Sequence, residues 1–261
     1  MGQRRFGRVN WLGLRTLYAR EVQRFLNVWA QTILAPVATA GLFMLVFSLA
    51  FAAGRGDPGG MPFEQFIAPG ILMMAVIQNA FANTSSSMGI AKVQGNIVDT
   101  LMPPLSAAEI LFGYIAGGMT RALLCALVIG VVILPIVGLG VAAPLWALAF
   151  VLLGAGMLAF LGLLTGIYTN KFDQMAAVTN FVITPLSFLS GTFYSIAALP
   201  PAFEAVSRAN PFFYAIDGFR YGVLGQSDAN PWLGLVILIV TNALLGWVAW
   251  RWLDTGYRLK G

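Results

Sequence analysis

The sequence predicts an all-α polytopic membrane protein with six transmembrane helices. Three observations carry that reading. Of 261 residues, 59% are hydrophobic and only 10% charged, and the mean hydropathy is +0.81; a soluble domain carries about 25% charged residues. Apolar runs long enough to cross a bilayer alternate with short segments rich in glycine, proline or polar residues. Lysine and arginine are spread unevenly over those segments, a signal of topology rather than of nucleic-acid binding.

In chain order, residues 10–29 read as an amphipathic helix. Trp11, Leu14, Tyr18, Val22, Phe25 and Trp29 recur at steps of three and four, with Arg20, Gln23 and Arg24 on the other side. A basic, aromatic-bearing helix beside a span lies in the membrane surface, as a topology anchor, as a docking element for a partner, or as both. Residues 1–29 form this tail and surface helix, and 30–261 form one membrane domain. The interrupted charge of Arg15, Arg20, Glu21 and Arg24 does not fit a signal peptide.

The spans are expected at about 30–53, 66–90, 107–136, 145–169, 175–194 and 232–252. Pro36 falls in the first turns of span one, and Pro185 predicts a kink in span five. Residues 54–63 form a glycine- and proline-rich turn. Span two carries Gln78, Asn79, Asn83, Thr84, Ser85, Ser86 and Ser87. Polar groups at this depth either bond to neighbouring helices or face a water-filled interface. In residues 91–108, Asn96 with Asp99 caps a short amphipathic helix over 97–102, which stops at Pro103-Pro104. Ser106 with Glu109 forms a capping box that starts span three. Gly113 with Gly117, and Gly162 with Gly166, are small-xxx-small pairs for close helix approach. Arg121 lies inside span three and either faces the bundle interior or snorkels to a headgroup. Residues 170–174 form a polar turn.

Eleven basic residues fall on one side of these spans: Arg4, Arg5, Arg8, Arg15, Arg20, Arg24, Lys92, Lys171, Arg251, Arg258 and Lys260. Arg55, Arg208 and Arg220 fall on the other, and Arg121 on neither. The positive-inside rule then puts both termini and the 97–102 helix in the cytoplasm. Residues 190–220 lie outside, too polar to span and too apolar to be solvated. Pro200-Pro201 starts one short helix there. Asn210-Pro211 ends it and starts a second, in which Asp217 and Arg220 brace each other and which Gly222 and Gly225 end. Phe203, Phe212, Phe213 and Tyr214 suit the outer interface, so both helices are expected to dip back into the membrane.

The chain has no histidine, which excludes His-ligated metals and histidine-based triads. Its single cysteine, Cys125, can form no intrachain disulfide. It has no G-x-x-x-x-G-K-[ST] phosphate loop and no cofactor motif. Acidic residues are few within the spans, which argues against a proton-driven carrier. A transport subunit energised from elsewhere fits better than a lipid-modifying enzyme or a non-transporting regulatory subunit.

Two stretches resemble a known family, the permease subunits of bacterial type-2 ABC transporters that export drugs, polysaccharides and lipo-oligosaccharides. One is Ser190-Gly191, Leu199-Pro200 and Asn210-Pro211 with Tyr214, Asp217 and Arg220; the other is Gly95–Ser106. The resemblance implies a homodimer of permeases in the inner membrane with two separate ATPase subunits, which would hold the ATP and Mg; this chain would bind no cofactor and no nucleic acid, and its other partners would be membrane lipids. The 97–102 segment (Asn96, Ile97, Val98, Asp99, Leu101, Met102) is then the coupling helix that seats in the ATPase, and the N-terminal helix is the connecting helix. Spans two and five are expected to line the pathway, with Asn79, Asn83, Thr179 and Asn180 as candidates. Pro200, Asn210, Pro211, Tyr214, Asp217 and Arg220 mark the re-entrant segment.

Overall fold

A computed structural model describes residues 9–51 and 62–259, and every described element is helical. Arg4, Arg5, Arg8, Arg55, Lys260 and most of the expected 54–63 turn lie outside the described residues. Helix α1 spans Trp11–Leu26, a π-helical turn covers Ala30–Leu34, and α2 runs over Ala35–Phe51. They are followed by α3 (Phe63–Val93), α4 (Ile97–Leu101), α5 (Ala107–Ile136) and α6 (Pro144–Tyr168). Next come α7 (Phe172–Val178), a second π turn (Thr179–Ile183) and α8 (Thr184–Phe188). After a turn come α9 (Pro201–Ala209), α10 (Pro211–Leu224) and α11 (Pro231–Thr255).

Among the described residues, five helical segments are long and apolar enough to cross a membrane: Ala30–Leu49, α3, α5, α6 and α11. The expected fifth span, 175–194, differs. Its helical run begins earlier, at Phe172, and ends at Phe188, so 189–195 is turn rather than span. Pro185 explains the irregularity, because it has no N–H for the carbonyl four residues back. The π turn that precedes it absorbs the missing bond. Pro36 has the same arrangement, two residues after the π turn Ala30–Leu34. There the Thr32 carbonyl accepts instead from Cys125 Sγ at 3.3 Å.

Helix α3 is the centre of the bundle. Its most apolar stretch is 78% buried and that of α6 61%, against 11% for Ala30–Leu49 and 17% for α11. Their close packing explains the glycine pairs. Gly162 faces the Phe81 carbonyl, Gly166 faces Met88, and Thr84 Oγ1 donates to Ala159 O across the gap at 2.8 Å. Gly113 and Gly117 serve α1 instead. A Cβ at either would sit 2.5–2.6 Å from Leu17 or Glu21. Ser106 and Glu109 form the expected capping box at the start of α5.

Polar contacts sort the helix ends into two groups. At one end, Lys92 donates to the carbonyls of Ile167 and Thr169, and Arg258 donates to that of Tyr168. Both cations thus complete the C-terminal end of α6, where the helix dipole favours positive charge. At the other end, Ala142 and Ala143 donate to Val223 and Gly222 at the end of α10.

Candidate functional site

The N-terminal helix joins the bundle through charge rather than through its tryptophans. The sequence reading placed Trp11 and Trp29 on its apolar face; they are 72% and 55% exposed. The buried face is Leu14, Leu17, Glu21 and Phe25. Glu21 is fully buried, and its carboxylate accepts from Ser87 Oγ of α3 at 2.9 Å. Arg20 and Arg24 flank it at 3.3 and 3.5 Å. Arg24 also donates to the backbone and side-chain oxygens of Asn83 at 2.8 and 2.9 Å, and to Ser86 at 3.2 Å. Arg20 donates to Thr100 Oγ1 at 3.0 Å and to Tyr114 Oη at 3.2 Å. One turn of α1 therefore ties together α3, α4 and α5. Sequence periodicity missed Glu21 because a carboxylate counts as a surface residue until its partners are known; the run Arg20-Glu21 with Arg24 was the available signal.

Helix α4 stands at the same end. It is five residues long and stops at Leu101, one short of expectation. Asn96 does not cap it; its backbone is outside the capping conformation and its side chain reaches Gln94. Ile97 and Thr100 are buried and anchor the helix. Val98, Asp99, Leu101 and Met102 face outward, with Met102 76% exposed. Grooves flank the helix on both sides, one against α1 at Thr16 and Arg20, the other against Lys92, Asn170 and Leu259.

The polar run of α3 divides between two roles. Asn83, Thr84, Ser86 and Ser87 bond to α1 or α6 as interhelical contacts, as above. Gln78 and Asn79 border two cavities. One, of about 440 Å³, lies against Phe172, Met175, Thr179 and Ile183. The other, of about 340 Å³, lies between α2, α3 and α5. Of the four residues expected along a pathway, Asn79 and Thr179 share the first cavity. Asn83 is fully buried under Arg24, and Asn180 is exposed and turned out of the groove. Arg121 faces the interior, where Nε and Nη2 donate to Asn79 Oδ1 at 3.2 and 3.0 Å.

At the opposite end, residues 190–220 form the two short helices in the expected places. Pro200 precedes α9 and Asn210 caps α10, accepting from Phe212 N at 3.0 Å. Gly225, in the left-handed conformation at φ 75°, ends α10. Gly222 does not; it lies inside the helix, pressed against the backbone of Ala147. Phe212, Phe213 and Tyr214 are buried in the bundle rather than facing an interface, while Phe203 is exposed. The reason is that α10 packs among α3, α6 and α11, so both its faces meet protein. Asp217 and Arg220 are buried 3.5 Å apart and do more than brace each other. Asp217 accepts from the backbone N–H groups of Asp228 and Ala229, both at 2.9 Å. Arg220 donates to Gly191 O at 2.7 Å and lies 4.1 Å over the Phe66 ring. The pair joins the 190–195 turn, α3 and the lead-in to α11.

The sequence model of the ABC-2 type transporter membrane family matches residues 13–224, from α1 to the end of α10. The chain belongs to the ABC-2 type transporter family. It is 36% identical over 250 residues to the inner membrane transport permease YadH of Escherichia coli K12, covering 96% of this chain and 98% of that protein. Nodulation protein J of Rhizobium leguminosarum bv. viciae is 25% identical over 235 residues, 90% of each chain. Nodulation protein J of Sinorhizobium fredii NGR234 is 24% identical over 234 residues, 88% of this chain and 87% of that protein. This ABC-2 family member is therefore a multi-pass membrane permease, and the comparisons place it with transport subunits rather than with enzymes.

Proposed function

We propose that the chain is the membrane-spanning half of an ATP-driven exporter whose ATP is hydrolysed by a separate subunit. The observation that carries this reading is α4. Val98, Leu101 and Met102 present apolar surface outward from a helix anchored by Ile97 and by the Arg20–Thr100 bond. Exposed apolar side chains on a short, braced helix suit insertion into a groove on a partner. In this reading the partner is an ATPase with its own phosphate loop, present in two copies beside a homodimer of this chain. The helical run 172–188 counts as the fifth of six crossings, of about 25 Å. Both termini and α4 face the cytoplasm, and α9–α10 close the outer end of the pathway. The cargo is amphipathic or lipid-linked, since the two cavities beside Asn79 mix polar and apolar walls.

The test is co-purification with an ABC ATPase from the same cell, followed by transport in liposomes. An Asp99→Arg, Leu101→Asp double variant should remain inserted yet uncouple ATP hydrolysis from transport. Coupled transport at the unmodified rate would refute the role of α4.

A further inference from the structure

We propose that the cavity between α2, α3 and α5 is a binding site for an amphiphile with an anionic head, carboxylate or phosphate, that pairs with Arg121. Arg121 is the fifteenth of the 30 residues of α5. At about 1.5 Å per residue it stands roughly 20 Å from either end of that helix, near the middle of the bilayer. A guanidinium at that depth is costly unless a counter-charge meets it. Among the described residues no carboxylate does. Its hydrogen-bond partner among the described residues is one amide oxygen, that of Asn79, which Nε and Nη2 share. Asn79 is fixed for this task, since its own Nδ2 is committed to Ala75 O at 2.9 Å. Glu21, the buried carboxylate of α1, already lies between Arg20 and Arg24. The region thus has an excess of positive charge, and Arg121 lines a cavity.

The shape of that cavity specifies the rest of the ligand. Gln31, Thr39 and Gln78 join Arg121 and Asn79 on its polar side. Its apolar wall includes Met74, Phe43 and Phe193. Phe193 stacks with Phe47 and Phe188 at 4.8 and 5.6 Å, so an aromatic cluster continues beyond the wall. Its volume, about 340 Å³, is within the usual range of small-molecule sites. A charged head at Arg121 and an apolar tail along the phenylalanines would satisfy both ends. A simple anion would leave the aromatic wall uncovered, and an uncharged lipid would leave Arg121 unpaired. As a binding site this stands on the geometry; as a station for transported cargo it also rests on the permease reading.

The test uses the full chain in phosphatidylcholine nanodiscs, without ATPase, and a diazirine-bearing dodecanoate as photoprobe. Peptide mapping should place the label on the α2, α3 or 189–195 segments around Phe43, Met74 and Phe193. Dodecyl phosphate should compete and dodecanol should not. Arg121→Gln should lower labelling about tenfold or more, the loss expected for one charge-assisted contact, with Arg121→Lys in between. Equal competition by dodecanol, or equal labelling of Arg121→Gln, overturns the proposal. If Arg121→Gln does not fold, the competition on the unmodified chain decides alone. Because labelling is read without ATP or partner, its failure leaves the exporter reading untouched, and failed co-purification leaves this site untouched.

Discussion

Replacing Asp217 by alanine should destabilise the opposite-end cap severely, and the structure allows the size to be worked out. The substitution removes two hydrogen bonds from backbone N–H groups, those of Asp228 and Ala229, each 2.9 Å long. It also removes the countercharge 3.5 Å from Arg220, whose side chain is 2% exposed. Bonds to an ionised acceptor contribute about 1.5–3 kcal/mol each, and orphaning a buried charge costs about 3–5 kcal/mol. These do not add, because Arg220 keeps the Gly191 carbonyl and the Phe66 ring. A net loss of about 3–5 kcal/mol is the expectation, near the figure for breaking a buried pair. In a chain of this size that lowers the thermal midpoint by about 10 °C or more.

The assay is a double-mutant cycle read as thermal retention of monodisperse protein in detergent. Asp217→Ala and Arg220→Met should each fall well below the unmodified chain. The combined Asp217→Ala, Arg220→Met variant should recover part of the loss, since an apolar pair leaves no buried charge behind. Its recovery will be incomplete, because the two N–H groups stay unmet. An Asp217→Ala variant as stable as the unmodified chain would refute the argument. So would a double variant that is simply the sum of the singles.

Three further outcomes follow from the packing. Gly162→Ala should cost about 1–3 kcal/mol by overpacking against the Phe81 carbonyl, whereas Gly41→Ala, with nothing within 4 Å, should be neutral or slightly stabilising; thermal retention of the pair distinguishes them. Asn210→Ala should cost about 1–3 kcal/mol, the sum of a helix cap and the bond from Nδ2 to Leu186 O; Asn210→Asp should keep the cap and lose only the second contact. Arg24→Ala should loosen α1 against α3, leaving the Glu21–Ser87 contact, and speed hydrogen exchange along α1, while Arg15→Ala, at an exposed position, should not.

Local rules read much of this fold from the sequence. The Ser106–Glu109 box, the Asn210-Pro211 start of α10 and the boundaries of α5 depend on neighbours a few residues apart, so they were legible. The glycine pairs were legible as close approaches, though not which helix would fill each one. Features that depend on distant partners were not. Glu21 reads as a surface charge until Ser87 and the two arginines surround it. Phe212, Phe213 and Tyr214 read as interfacial aromatics until α3, α6 and α11 enclose α10. Asn96 has the right residue type for a cap but the wrong backbone. Arg121 illustrates the same limit: it and its partner Asn79 are 42 residues apart in sequence and meet only across α3 and α5.

The charged turn of α1 links two places that the sequence treats separately. Arg20 holds Thr100 of α4, while Glu21 and Arg24, one turn at most away, hold Ser87, Asn83 and Ser86 of α3. Asn83 is one helical turn from Asn79, and Asn79 borders both intramembrane cavities. A displacement of α4 therefore has a short, contiguous set of polar contacts through which to move the helix that walls those cavities. The same contacts explain why α3 carries so many polar residues for a central membrane helix. Each satisfied bond there adds only about 0.6 kcal/mol on average to helix association. Such bonds stabilise the bundle weakly, but they set the register of α1 against α3, the helix that carries Asn79.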